Sequence, residues 1–473
     1  RRALAVTVLT VSAWLLQAMP LAPASLIPLA LFPLCGVQSM AMVAPSYAHP
    51  ILWLFFGGFI IALAIEKCGL HRRIALRVIS FIGLRPRRLV LGFLMSGLLL
   101  SMWISNTATT LMLLPIGGAL IDRVKREGIM SGEAADRLAV VLMLGIAYGC
   151  SVGGTASPIG TFPNLLYLQE YSKFEGAPAF SFFSWMLAFA PFAIFFGLVI
   201  WALLVYVIHR LPAGSAEAGA SIKAEAASMA PMASSERRVL CLFLAAVVLW
   251  ITRGDMEFGD GLVIQGWVSR MGLPHKFVTD GSVAVTLAIL AFLIPGGGRG
   301  SERLMDWETA RRLPWEILFL LAGGVAIAAA FRETGLGVAI GAATAPLLEG
   351  VSPLLAVIGV TLFITFLTEV TSNTAITAIM LPILAATASG AGLDPRVLML
   401  PATIAASCAF MFPIATPPNA IVYSSNRVSM RQMGRTGFFL NLTSVLVVIM
   451  VFWIWVFPLL GVDPGIVPEW AKR

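Results

Sequence analysis

Stretches of about twenty apolar residues recur along the whole of this chain, and that recurrence limits its fold more than any other feature. A helix rises 1.5 Å per residue, so about twenty residues cross a hydrocarbon core roughly 30 Å thick. In lipid every backbone N–H and C=O must be paired inside the protein, which leaves helices or a closed β-barrel. A barrel reads as short segments of alternating polarity, and the sequence has none. Charged residues make up 12% of the 473 positions, against roughly 25% in a soluble domain. The chain is therefore read as an all-α polytopic membrane protein.

The clear apolar runs are 3–19, 22–38, 50–67, 138–169, 180–208, 238–252, 281–295, 315–332, 396–424 and 436–460. Two more, 89–121 and 352–389, are interrupted midway by Ser105-Asn106-Thr107 and Ser372-Asn373-Thr374. Each is long enough for two short helices that enter and leave by the same side. Polar backbone at membrane depth is tolerated only inside protein or lining a cavity, so both are expected to be re-entrant hairpins. Leu70–Gly83 and Leu336–Glu349 follow the two Gly-Gly helices and precede the hairpins; HRRIALRVISFIG mixes basic and apolar residues as an interfacial helix does, the alternative being a short tilted span. Residues 211–236, rich in Ala and Ser, read as a mobile linker with no role beyond connection.

The net charge of +8 is explained by basic cytoplasmic loops, and a nucleic-acid partner is not expected. The five cysteines (Cys35, Cys68, Cys150, Cys241, Cys408) have no metal-ligand spacing and read as small residues of apolar segments. The four histidines sit at loop edges, away from acidic clusters. The chain opens at Arg1, without methionine, on a full apolar run, so an N-terminal segment is expected to be missing; no cleavable signal peptide is visible.

The linker separates two copies of one pattern. Gly57-Gly58 answers Gly323-Gly324, and Gly69-Leu70 answers Gly335-Leu336. The two Ser-Asn-Thr triplets correspond, as do Pro115 and Pro382. Pro158-Ile159-Gly160-Thr161-Phe162-Pro163-Asn164 aligns with Pro413-Ile414-Ala415-Thr416-Pro417-Pro418-Asn419. Each copy holds five spans and one hairpin, and an odd count inverts the second copy. Following the spans places 22 of the 32 Lys and Arg residues on one side, which is then cytoplasmic. The first hairpin would enter from the cytoplasm and the second from outside.

Ser, Asn and Thr cap helix N-termini, whose first N–H groups lack partners. Each triplet precedes a fresh apolar helix, so each tip presents a partial positive charge without any Lys or Arg. The breaks GGTASPIGTFPN and FPIATPPN cannot continue as helix through Pro158, Pro163, Pro413, Pro417 and Pro418. They free backbone carbonyls which, with Ser and Asn oxygens, offer hard ligands for Na⁺. One cation site per copy follows, and two anion-binding tips suit a substrate with two carboxylates. Glu369 has no acidic counterpart in the first copy, where Met102 stands. It would either orient the hairpin through a hydrogen bond or tune the cation site, and the first is favoured.

SMWISNTATTLMLLPI, TEVTSNTAITAIMLPI, GGTASPIGTFPN and FPIATPPNAIVY resemble the divalent anion/sodium symporter family, the sodium–dicarboxylate transporters. The opening SAWLLQAMPLAPASLIPLALFPLCGV and FFGGFIIALAIEKCGLHRRIAL extend the resemblance over essentially the whole chain. It implies an eleven-span inner-membrane protein, lacking its first span here, with a scaffold that forms a homodimer and a transport domain that moves as an elevator. By that comparison 1–83 and 238–349 are scaffold, 84–210 and 350–473 transport domain, and 211–237 the cytoplasmic linker. The resemblance implies a first sodium site at Ser101, Ser105, Asn106 and the backbone of Gly154. The second would use Thr368, Ser372, Asn373 and the backbone of Ala415. Substrate carboxylates would meet Asn106, Thr107, Thr155, Ser372, Asn373, Thr374, Thr416 and Pro417.

Relatives that exchange dicarboxylates without sodium carry an Arg-containing variant after the first Ser-Asn, whereas this chain keeps Thr107-Ala108-Thr109. Phe162 departs from the small residue or proline usual at its place, which bears on the local shape of the first break. The leading expectation is sodium-coupled symport of succinate, malate or fumarate across the inner membrane. The alternative is a dicarboxylate exchanger or a sulfate carrier on the same scaffold. A channel would need a continuous polar pore, and an enzyme would need a nucleophile with its base; neither pattern is present.

Overall fold

Capping side chains, prolines and glycines set where the helices of this protein begin and end. The structure, a computed structural model, describes all residues except 17, 179, 259–261, 275–276, 298–301 and 472–473. The chain opens with α1 (Arg2–Leu16), the short α2 (Leu21–Ser25) and α3 (Ile27–Leu34), then α4 (Met40–Val43) and α5 (Pro50–Lys67). Gly69, at φ +77, ends α5 in the left-handed conformation glycine adopts without strain. The amphipathic α6 (Leu70–Ile82) follows, burying Leu70, Leu76 and Ile79 while Phe81 stands exposed.

The first hairpin is α7 (Pro86–Ser101) and α8 (Asn106–Arg126). Both arms pack on α9 (Gly132–Gly153), which ends at a break and resumes as α10 (Phe162–Tyr171). α11 (Phe182–Ala202) runs on into a π-turn over Leu203–Ile208. α12 (Ala220–Ser228) and α13 (Ser234–Ile251) lead to a two-stranded ribbon of β1 (Met256–Phe258) and β2 (Leu262–Ile264). Next come α14 (Trp267–Arg270), α15 (Asp280–Leu293), α16 (Trp307–Ala310), α17 (Trp315–Thr334) and α18 (Leu336–Thr344). The second hairpin, α19 (Pro353–Leu367) and α20 (Asn373–Gly390), straddles α21 (Pro395–Ala406) as the first straddles α9. After the second break come α22 (Pro417–Ser424), the long α23 (Met430–Val451) and α24 (Phe457–Leu459).

Six helices among the described residues are long and apolar enough to cross a membrane: Met40–Lys67, Gly132–Ala156, Phe182–Ile208, Trp315–Thr334, Asn373–Gly390 and Met430–Leu459. A further candidate, Leu336–Leu348 with Pro353–Leu367, bends by 108°. The apolar runs 3–19, 22–38 and 281–295 fold as shorter helices than their length announces, because Pro20, Pro23 and Pro295 lie at or near their ends.

Glycines let backbones touch where the site is built. An added Cβ on Gly149 or Gly153 would fall 2.4 Å from Leu94 O or 2.3 Å from Leu98 O, so α9 lies directly against α7. Gly437 of α23 meets Phe410 O of the second break in the same way, at 2.2 Å. The halves also interlock: α10 packs on α20 and α21, and α22 on α8 and α9.

The linker differs from expectation, for it is docked rather than free. Ala218 and Ile222 are buried, and Glu225 pairs with Arg72 of α6 at 2.7 Å. Arg73 clasps Glu236 with two bonds of 2.9 Å and donates to Ala230 O at 3.0 Å. Those bonds from Arg73 hold the Glu236 carboxyl below the usual carboxylate range despite its burial. Low complexity hides this because its Ala, Glu and Lys are good helix formers, and the docking partners lie far off in sequence on α6.

Candidate functional site

Each hairpin turns on the same three bonds. Ser105 caps α8, its hydroxyl accepting from Ala108 N at 3.2 Å; Ser372 caps α20 and accepts from Ala375 N at 3.5 Å. Behind the first tip Ser101 Oγ donates to Asn106 Oδ1 at 2.7 Å, and behind the second Thr368 Oγ1 donates to Asn373 Oδ1. Thr110 and Thr377 donate to the backbone oxygens of those asparagines, both at 2.7 Å. The caps leave further N–H groups of each first turn facing forward.

The breaks correspond as closely. Thr161 and Thr416 are extended, at φ −146 and −143, and precede α10 and α22. Asn164 donates to Gly154 O (3.0 Å) and Ser157 O (2.7 Å); Asn419 donates to Ala409 O and Phe412 O, both 3.1 Å. Each asparagine thereby ties off carbonyls that the interrupted helix leaves unpaired. Phe162 takes the first position of α10 as Pro417 does in α22, so the first break keeps the shape of the second despite the aromatic residue.

Tips and breaks face one another across a central cavity of about 740 Å³. Of the residues named from sequence, Ser105, Asn106, Thr107, Ser372, Asn373, Thr374, Ala415, Thr416 and Pro417 line it. Ser101 and Thr368 are fully buried behind the tips, where they reach the cavity's asparagines rather than the cavity. Thr155 is also fully buried, and its hydroxyl turns back to Val152 O at 2.7 Å. Thr161 lines the cavity instead. The internal alignment that sets Thr161 opposite Thr416 is the signal that finds it. Ser151 and Ser407, buried with unpaired hydroxyls, border the cavity too and carry no motif. No charged side chain lines it among the described residues.

Oxygens converge beside the first tip. An added Cβ on Gly160 would stand 2.5 Å from Gly154 O and 2.9 Å from Ser101 O, and one on Gly154 would stand 2.8 Å from Asn106 Oδ1. Two glycines thus let carbonyl and amide oxygens gather closely there, the ligand type that hard cations take. In the second half Ala415 occupies the place of Gly160, with Thr368 and Asn373 oxygens behind the tip.

Glu369 fixes the second tip to its break. Its carboxylate accepts from Phe410 N (2.7 Å), Met411 N (2.9 Å), Phe412 N (3.1 Å) and Asn441 Nδ2 (2.7 Å). Of the two roles open from sequence, the hydrogen-bonding one is what the geometry contains. In the first half the join is made from the other side, with Ser157 Oγ donating to Met102 O.

A multi-pass helical membrane protein that turns two capped helix N-termini and two broken helices onto one small polar cavity has the build of a secondary transporter. The chain belongs to the family described as the sodium:sulfate symporter transmembrane region, matched over residues 1–462. It is 37% identical over 464 residues to the sodium-dependent dicarboxylate transporter SdcS of Staphylococcus saprophyticus, covering 97% of this chain and 87% of that one. SdcS of Staphylococcus aureus strain USA300 is 38% identical over 469 residues, covering 97% and 86%. The family resemblance carried by the motifs therefore holds along the chain. Two solved structures share the fold. MtrF of Neisseria gonorrhoeae, from a class of antimetabolite efflux pumps, has a TM-score of 0.62 at 17% identity, covering 88% of this chain and 84% of its own. The YdaH transporter of Alcanivorax borkumensis has 0.58 at 15%, covering 88% of each.

Proposed function

We propose that this protein carries C4-dicarboxylates, such as succinate, malate and fumarate, across the inner membrane together with sodium ions. Sodium-coupled dicarboxylate transport is what the similarity to SdcS supports at the coarser level. The observation that carries the finer reading is the pair of capped helix N-termini facing one cavity with no charged side chain in its lining among the described residues. Each N-terminus is equivalent to about half a positive charge, so two of them match two carboxylates without the fixed charge that would hold a dianion too tightly to release. Asn106 and Thr107 would take one carboxylate; Asn373, Thr374 and Thr416 the other. Sodium would sit behind each tip, on Ser101, Ser105, Asn106 and Gly154 in the first half. Thr368, Ser372, Asn373 and Ala415 would hold it in the second. There a cation would take the asparagine oxygen that now accepts the hydroxyl hydrogen bond, turning the hydroxyl oxygen toward the ion, and so tie ion occupancy to the shape of the tip.

In this reading the repeats are inverted, the hairpins and broken helices move as an elevator against α1–α5 and α13–α17, and the latter pair up in a homodimer. Uptake of labelled succinate into proteoliposomes tests the function. It should need an inward sodium gradient, compete with malate and fumarate, and disappear in Asn106→Ala and in Asn373→Ala. Sulfate uptake without succinate uptake would make this a sulfate carrier. Sodium-independent counterflow would make it an exchanger.

A further inference from the structure

At the first position of the helix that resumes after each break, the two half-sites differ in a residue that borders the cavity. Thr161-Phe162-Pro163-Asn164 answers Thr416-Pro417-Pro418-Asn419, and the backbone is alike in both. Proline at the first position of a helix is a compact ring held against its own backbone. Phenylalanine there carries a ring that lines the central cavity, where it meets Phe59 of α5 edge to face, centroids 6.5 Å apart and planes at 76°. Both rings are only half-buried and both border the cavity, so their free surface faces its contents. Beside them α5 presses on the break: an added Cβ on Gly58 would lie 3.2 Å from Ile159 Cδ1. Pro417, in contrast, is exposed and brings no aromatic ring to the cavity it lines.

We propose that Phe162, braced by Phe59, is a specificity-determining residue that closes the first half-site against branched substrates and restricts the carrier to compact, unbranched dicarboxylates. The inference rests on the dicarboxylate reading and adds to it a limit on shape. Asn106 and Thr107 line the same cavity, so a carboxylate held there puts the adjoining carbons near the aromatic pair. A hydrogen atom on those carbons is compatible with an aromatic wall. A third carboxylate would have to displace a ring or lose its water against a surface without donors, and an unpaired buried charge is the costlier of the two. Phe59 acts here as a positioning residue, because it limits where the Phe162 ring can swing.

The test is the ratio between a tricarboxylate and a dicarboxylate, measured by competition of citrate and of unlabelled succinate against labelled succinate uptake in proteoliposomes. Wild-type protein should bind citrate at least about tenfold more weakly than succinate, and Phe162→Pro and Phe59→Ala should each narrow that gap by about tenfold, the scale on which small pocket changes discriminate. Phe162→Pro restores the residue of the other half, and Phe59→Ala loosens the brace from a different helix. Ligand-induced thermal stabilisation of purified protein in sodium gives the same ratio for a variant that binds without turning over. An unchanged ratio in both variants, or a wild type that takes citrate as readily as succinate, overturns the proposal while leaving dicarboxylate transport standing. A wild type that accepts sulfate and no dicarboxylate removes both.

Discussion

Glu369 accepts from four donors at the second break, three of them consecutive backbone N–H groups. Glu369→Gln turns an accepting oxygen into a donating amide that faces those donors. Leaving a buried donor unpaired costs about 1–3 kcal/mol, so the variant should unfold at lower temperature and need more sodium for half-maximal uptake. A melting curve and a sodium titration check this, and unchanged values in both would mean that water takes over as acceptor. That Glu369 is special is visible in sequence because the first copy has Met102 in its place; which atoms it reaches is not, since Asn441 lies 72 residues away. The same limit explains Thr155 and Thr161. The triplets declare themselves through capping chemistry, which is local. Past a helix break the backbone makes a 3₁₀ turn over Gly154–Ala156, where helical periodicity no longer says which way a side chain points. Thr155 uses its hydroxyl on its own backbone, a common outcome for threonine in a turn.

Helices, hairpins and breaks were largely legible because apolar length and proline placement are one-dimensional signals. Their mutual packing rests on glycines whose purpose appears only in three dimensions. Gly153→Ala places a methyl group 2.3 Å from Leu98 O, so α9 must back away from α7 at a cost of about 1–3 kcal/mol. The adjoining Gly154 and its oxygens would move with it, and transport should fall together with melting temperature. Gly132→Ala, on the same helix with open space around it, should change neither. The docked linker is the element composition concealed most completely. Because Glu236 titrates below its unfolded value, its bond to Arg73 stabilises the docked state above the ordinary carboxylate range and is lost only as pH falls beneath it. Limited proteolysis between residues 211 and 233 should therefore proceed at one rate from pH 5 to 8, roughly the range in which no ordinary carboxylate titrates, and much faster in Glu236→Gln. A wild-type rate that climbs steeply within that range would assign the docking to another group.

On the scale of the molecule, the proposed movement has to break particular contacts, and several can be named. α5 touches the first break through Gly58 on Ile159 and Phe59 on Phe162; α17 touches α10 through Gly324 on Gln169; Asp280 of α15 accepts from Phe182 N at the start of α11. These contacts are mostly apolar or made through glycine, so sliding across them exposes little unpaired backbone, whereas the bonds that join tip to break are polar and internal to the part that would move. A site fixed in place with local gates would instead keep the α5 contact in every state. An added Cβ on Gly58 would lie 3.8 Å from Ile159 Cβ, inside the roughly 3.5–4.5 Å that a disulfide spans. In a background without the five native cysteines, Gly58→Cys with Ile159→Cys should bridge readily in this arrangement. The bridge should stop succinate uptake until a reductant is added, and its rate of formation should change when sodium and succinate are supplied together. A carrier that forms the bridge equally fast under all conditions, and transports at full rate with the bridge intact, would have a stationary first break, and the movement would have to be sought in the hairpin tips alone.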